Sequence, residues 1–303
     1  MRIVLATVIA GALAVGAGFL LTHATVAATD GGRIEVVAAE NFWGSIAAQL
    51  GGERVHVSSI ITNPATDPHD YEPTSVDART MAGAKLAIVN GVGYDGWAPK
   101  LIAANPVDGR IVLTVGDVVG VKAGGNPHRW YSPGDVQRVI RAIVADYTKL
   151  DPSSASYFQR RAATFESRGL ARYKRLIATI KQRYRGVPVG ASESIFAPLA
   201  QALGLKLLTP PTFLKAISEG TDPTARDLTT IDHQVAQRRI KVWVFNSQNS
   251  TPDVQRITNA ARKRRIPITT ITETLVPASA SFQAWQSNQL EALLRALHRA
   301  TGR

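Results

Sequence analysis

The chain has 303 residues, 45% hydrophobic and 19% charged, which is an ordinary globular composition with length for about two domains. Its 35 Lys and Arg against 23 Asp and Glu leave a charge of +12, yet the basic residues are scattered. No aromatic residues interleave with the densest run, 262–265, as a single-strand binder requires, so nucleic acid is not expected as a partner. Cysteine is absent, which excludes thiolate metal sites, redox pairs, disulfides and lipid attachment at a mature N-terminal cysteine.

The first residues, MRIVLATVIAGALAVGAGFLLTHATVAATD, place one arginine before an uncharged run from Ile3 to Leu21 and then small residues. This reads as an export signal over 1–28, with cleavage near Ala27 or Ala28 favoured over an uncleaved anchor. The body of the chain is therefore expected outside the cytoplasm, periplasmic or tethered to the outer face of the cytoplasmic membrane.

Strand and helix patterns then alternate. RIEVVAAE (33–40) is a strand and FWGSIAAQLGG a helix; RVHVSSII (54–61) is the second strand. The turn-rich loop TNPATDPHDYEPT follows, then the helix VDARTMAGA, the strand LAIVNG (86–91), the helix GWAPKLIAAN and the strand RIVLTVGD (110–117). Short apolar strands separated by helices predict a parallel sheet buried on both faces.

From Pro133 to about Tyr184 the strand signal lapses. PGDVQRVIRAIVADYTKL is one helix, and a second, capped by Asp151 or Ser153, runs to Arg185-Gly186 with Gly169 inside it. About 30 helical residues span roughly 45 Å, enough to cross a two-lobed protein. Alternation resumes with the strands PVGASE (188–193), LKLLTP (205–210), KVWVFNSQ (241–248) and PITTITE (267–273), and closes on the amphipathic helix SFQAWQSNQLEALLRALHRA. The expected fold is α/β: two lobes of parallel sheet flanked by helices, 33–132 and 187–303, joined through a helical linker, 133–186.

Open parallel sheets bind ligands beyond the carboxyl ends of their strands. His69 and His128 fall there in the first lobe, and Glu193 and Glu273 in the second. Two imidazoles and two carboxylates gathered in a cleft suit a divalent first-row metal. Four protein ligands describe a closed site, whereas catalytic zinc keeps a position open, and no His-Glu-x-x-His pattern supports a hydrolase. Both histidines follow a proline, which narrows the backbone and lowers the entropy lost when a metal orders the loop. Asp67, Asp70, Tyr71 and Glu72 neighbour His69 and are candidates to orient its ring or attract the cation. Each residue alone has a plainer reading: a loop histidine is usually solvated, and a carboxylate before a helix is favoured by the dipole. His56, His298, Phe42, Trp43, Trp97 and Trp243 read as structural, and the Arg160-Arg161 pair as the solvated side of the long helix.

NPATDPHDYEPTSVDARTMAGAKLAIVNGVGYDGW, NPHRWYSPGDV, SEGTDPTARDL, KVWVFNSQ and ITETLVPASASFQAWQ closely resemble the zinc/manganese solute-binding proteins of bacterial ABC transporters. The likeness runs from about residue 35 to the C-terminal helix. It implies two α/β lobes bridged by one backbone helix, with one divalent transition metal (Zn, Mn or Fe) held between them as cargo for a membrane permease driven by an ATPase. Matched residue by residue, the family's ligands fall on His69, His128, Glu193 and Glu273, the last longer by one methylene than the family's usual Asp. The acidic His-rich loop of many dedicated zinc importers is missing. Two oxygens and two nitrogens are harder than an all-imidazole set and move the preference towards Mn or Fe, while raw affinity still favours zinc over manganese. The leading expectation is a monomeric metal-binding protein that is not an enzyme; the alternatives are a metal-dependent hydrolase using the same site and a binder of an organic solute.

Overall fold

A computed structural model describes residues 32–66, 68 and 71–303. The expected export signal and the loop residues Asp67, His69 and Asp70 lie outside the described residues. In the first half β1 (Ile34–Glu40), β2 (Val55–Ile61), β3 (Leu86–Val89) and β4 (Ile111–Thr114) form a fully parallel sheet in the order β2-β1-β3-β4. In the second, β5 (Pro188–Ala191), β6 (Lys206–Leu207), β7 (Val242–Asn246) and β8 (Ile268–Ile271) repeat that arrangement as β6-β5-β7-β8. The fold is thus two parallel four-stranded sheets flanked by helices. β1 and β3 are buried almost throughout because helices cover both faces, which is why they read as apolar runs without alternation.

The first sheet carries α1 (Asn41–Gly51), α2 (Ser75–Gly83), α3 (Ala98–Ala104) and α4 (Val115–Val119). Next come α5 (Pro133–Leu150), α6 (Ala155–Thr164) and α7 (Ala171–Tyr184). The second sheet carries α8 (Ala197–Leu203), α9 (Pro211–Ser218), α10 (Ala225–Ala236), α11 (Pro252–Lys263) and α12 (Phe282–Thr301). Side-chain oxygens of Thr74, Thr224, Thr251 and Ser281 cap α2, α10, α11 and α12 by accepting from backbone N–H groups of the first turn.

The strands read at 86–91, 241–248 and 267–273 end at Val89, Asn246 and Ile271, and further expectations need correction. The strand read at 110–117 stops at Thr114, and Val115 opens α4, because Gly116 N–H donates to Asn90 O and bends the chain out of the sheet. The strand at 188–193 stops at Ala191, leaving Glu193 two residues beyond the sheet. The strand at 205–210 shrinks to Lys206–Leu207, since Pro210 begins the turn into α9, an element the apolar pattern did not reveal. The long helix is not uniform: Phe165–Gly169 form a π-turn between α6 and α7, closed by Leu170 N–H on Phe165 O at 2.8 Å. A Cβ on Gly169 would meet the Phe165 ring at 2.9 Å, so glycine lets that buried ring lie back on its own helix.

One hydrophobic cluster takes residues from both halves. Phe42 of α1 stacks on Trp130 with centroids 4.1 Å apart and lies 6.5 Å from Trp285 of α12. Polar contacts follow the same seam: Phe282 N–H donates to Ser45 Oγ at 2.9 Å, and the Gln49 and Gln283 amides pair. Among the described residues no helix is long and apolar enough to cross a membrane.

Candidate metal centre

In both sheets the strand order reverses beside the first strand, so the crevice beyond the carboxyl ends of β1/β3 and β5/β7 is where a ligand is expected. Three side chains meet there. His128 follows α4, Glu193 follows β5 and Glu273 follows β8; all three are buried, and their nearest ligand atoms lie within 4.8 Å of one another. His128 Nε2 is 3.5 Å from Glu193 Oε1 and 3.4 Å from Glu273 Oε2. Donor atoms each about 2.1 Å from one tetrahedral metal would stand about 3.4 Å apart.

The tautomer of His128 follows from its neighbours. Asn126 Oδ1 accepts from the His128 backbone N–H at 3.0 Å and lies 2.9 Å from Nδ1, so the ring proton belongs on Nδ1. Nε2 is then a lone pair, fully buried and without a hydrogen-bond partner among the described residues. Burial, reinforced by nearby Arg129, outweighs the attraction of Glu193 and holds this imidazole down at about 4, so it is neutral near pH 7. Burial, and next the Glu273 carboxylate, push Glu193 up to about 7. Two acids and a neutral imidazole converge in a water-poor place, and Glu193 ion-pairs with no Lys or Arg among the described residues. A divalent cation would neutralise both carboxylates at once.

Asn246, at the end of β7, fixes the acids. Its Nδ2 donates to Glu193 Oε2 and, at 2.7 Å, to Glu273 Oε1, leaving Glu193 Oε1 and Glu273 Oε2 turned to the histidine. Tyr94 donates its hydroxyl to Glu273 Oε2 at 3.1 Å. Gln248 Oε1 accepts from the backbone of Glu273 and of Thr274, and its Nε2 donates to Pro64 O in the loop that leads to His69. Asn246 and Gln248 were read only as part of an apolar strand. Their signal is the polar break at the end of KVWVFNSQ, which periodicity reports only as a boundary.

A further chain of contacts supports His128 from below. Glu40 at the end of β1 is fully buried, and its acid is held well above the usual range, by burial first and then by Asp95. Neither of its oxygens accepts a hydrogen bond among the described residues. The neighbouring Asp95 carboxylate adds to burial in favouring its protonated form. Asp95 in turn accepts from Asn90 N–H at 2.7 Å and Gly91 N–H at 2.8 Å. Gly91 sits at φ 70°, and a Cβ there would meet Thr114 Cγ2 at 2.7 Å. Asn90 then accepts from Trp43 Nε1 at 3.0 Å and donates to Pro127 O, adjoining His128, at 2.9 Å.

Of the other candidates, His69, Asp67 and Asp70 lie outside the described residues. The Tyr71 hydroxyl donates to Asp77 Oδ2 at 2.8 Å; burial first, and then Asp77, push it up to about 12, and Glu72 is exposed. Tyr71 packs edge-on against Trp97, whose Nε1 donates to Pro68 O at 3.2 Å. His56 is exposed and pairs with Glu35, away from the centre. Phe42, Trp43, Trp97 and Trp243 are buried packing residues.

The chain is similar to the metal ABC transporter substrate-binding lipoprotein FimA of Streptococcus parasanguinis, 22% identical over 255 residues, covering 78% of this chain and 79% of that protein. It is 28% identical over 185 residues to the iron-binding protein YfeA of Yersinia pestis, covering 57% of this chain and 58% of that one. Among solved structures, the periplasmic zinc-binding protein TroA of Treponema pallidum superposes with a TM-score of 0.71 at 17% identity, over 88% of this chain and 99% of that one. The Mn-bound periplasmic metal-binding protein of Candidatus Liberibacter asiaticus gives 0.71 at 20% identity, over 86% and 98%. The family model for the zinc-uptake complex component A, periplasmic, matches residues 36–296, and the chain belongs to that family.

Proposed function

We propose that this protein is the extracytoplasmic solute-binding component of an ABC importer, which captures Zn, Mn or Fe between its two lobes and delivers the ion to a membrane permease. His128, Glu193 and Glu273 are the ligands, joined by His69; 33–132 and 187–303 act as the lobes and 133–186 as their link. The observation that carries the reading is the lone pair of His128 Nε2, buried and without a hydrogen-bond partner among the described residues, facing one oxygen of each carboxylate at 3.4–3.5 Å. The names of relatives that bind manganese and iron support the same cargo class.

The metal is cargo, so the protein is not an enzyme. Neither alternative, hydrolase or organic-solute binder, has an observation in its favour. The protein acts as a monomer and binds no nucleic acid. Exported relatives are named as lipoproteins; the reading that this chain is not anchored through a cysteine rests on its cysteine count of zero.

The test is equilibrium titration of chelator-stripped protein with Zn and Mn against a competing chelator, for wild type, His128→Ala and His69→Ala. Each variant is expected to lose at least about a hundredfold in affinity, since losing one of few ligands to a transition metal removes several kcal/mol. Wild-type affinity in folded His128→Ala would remove the site.

A further inference from the structure

The stretch from Ala155 to Gly186 holds nine Lys or Arg residues against the single acid Glu166, a balance of +8 within a chain of +12. Arg160, Arg161, Arg168, Arg172, Arg175, Lys181, Arg183 and Arg185 are exposed and Lys174 half-buried. Among the described residues, Arg172 with Glu291 is the one ion pair any of the nine makes. Arg295 and Arg299 are exposed on α12, which packs alongside α7. Two-thirds of the net charge thus lies along one helix, with almost no internal neutralisation.

Its placement is as specific as its charge. At about 100° per residue, Tyr173, Ile180 and Tyr184 form the inward seam of α7. Arg172, Arg175 and Arg183 flank its outward face on one side, and Lys174 and Lys181 on the other. The helix lies at the ends of the sheets remote from the metal centre. Tyr184 leads through Gly186 into the start of β5, whereas Glu193 follows its end. Arg161 donates to Gln49 O near the end of α1, just before β2 begins, whereas α1 starts at the ligand end of β1.

We propose that this helix is a docking face for an anionic phospholipid surface, which holds the exported protein on the membrane with its metal cleft turned away to capture ions. Each cation brought to an anionic leaflet is worth about fivefold in binding, and the attraction acts only within a Debye length of about 8 Å at physiological salt. That makes the contact strong in sum yet reversible, so the protein can turn to present its cleft. Nucleic acid fits this face less well: Phe158, Phe165, Tyr173 and Tyr184 are buried and offer no stacking platform.

The experiment is sedimentation of the exported protein with phosphatidylglycerol-containing vesicles and with pure phosphatidylcholine vesicles, which report any uptake through the apolar N-terminus. One variant replaces Arg168, Arg175, Lys181 and Arg183 by Gln; a second, of equal charge, replaces Arg262, Lys263, Arg264 and Arg265 by Gln. Wild type should prefer the anionic vesicles at least about tenfold and lose most of that preference in 0.5 M salt. The helix variant should lose the preference, while the second variant stays within about threefold of wild type. Unchanged thermal unfolding and metal affinity in both would show intact folds. Equal losses in the two variants would mean net charge alone acts; no preference of wild type for anionic vesicles, or tighter binding to a single-stranded oligonucleotide, would overturn the assignment.

Discussion

Asn246→Ala removes an amide that holds both carboxylates of the proposed metal centre. Its Nδ2 donates to Glu193 Oε2 and Glu273 Oε1, and hydrogen bonds to charged groups contribute about 1.5–3 kcal/mol each. Without them the free protein favours protonated Glu193, already at about 7, and its pKa should climb. Each unit of that climb costs metal affinity about tenfold at pH 7, because the proton must leave before the metal binds. Orientation is lost as well, since the amide turns Glu193 Oε1 and Glu273 Oε2 towards His128; losing such a support typically costs 10–100-fold, about 1.4–2.8 kcal/mol. Competition titration with Zn and Mn at pH 7.0 and 8.5 separates the two effects, because the higher pH relieves proton competition and leaves the orientation loss. Asn246 Oδ1 also accepts from Gln248 N–H at 3.0 Å, so thermal unfolding of the metal-free variant should show a further loss of about 1 kcal/mol. Affinity within threefold of wild type at pH 7.0 would refute the idea that this amide organises the site.

Metal-free stability should depend on pH through two opposed groups. His128 is lowered to about 4 in the folded chain, so it adds stability as pH rises from about 4 to its ordinary 6.5; Glu193 is raised to about 7, so it removes stability between its ordinary 4.5 and about 7. Their contributions cancel between about 4.5 and 6.5 and leave a rise below and a fall above, which chemical denaturation across pH 4–8 would detect. Metal affinity has no such cancellation and should fall about tenfold per pH unit below 7; a flat profile from pH 7 to 5.5 would exclude Glu193 as a ligand. Asn90→Ala should unhook Pro127 and with it the His128 backbone, lowering metal affinity about tenfold, whereas Asn90→Asp, which keeps the acceptor for Trp43 but loses the donor, should not restore it.

The sequence carried the architecture a long way, because parallel strands buried on both faces leave apolar runs that need no partner to be recognised. It also placed His128, Glu193 and Glu273 after strand ends, and these the tertiary structure brings together. It could not show how far each strand ran. β6 keeps two residues and β4 turns into α4, since those ends depend on hydrogen bonds such as Gly116 N–H to Asn90 O, made between segments 26 residues apart. Asn246 and the Glu40–Asp95–Asn90 chain were invisible for the same reason. An asparagine closing an apolar strand looks like a turn former, and a glutamate closing another looks like a helix cap, until the packed chain puts a carboxylate beside each.

What the amino-acid order determined by itself was local: the periodicities, the caps and the proline-braced histidines. What only the folded chain decided was which oxygen faces which nitrogen, and how far burial moves the proton affinities of His128 and Glu193. Those shifts come from excluding water and from charges brought together across more than 60 residues, and neither effect exists before the two sheets close on each other.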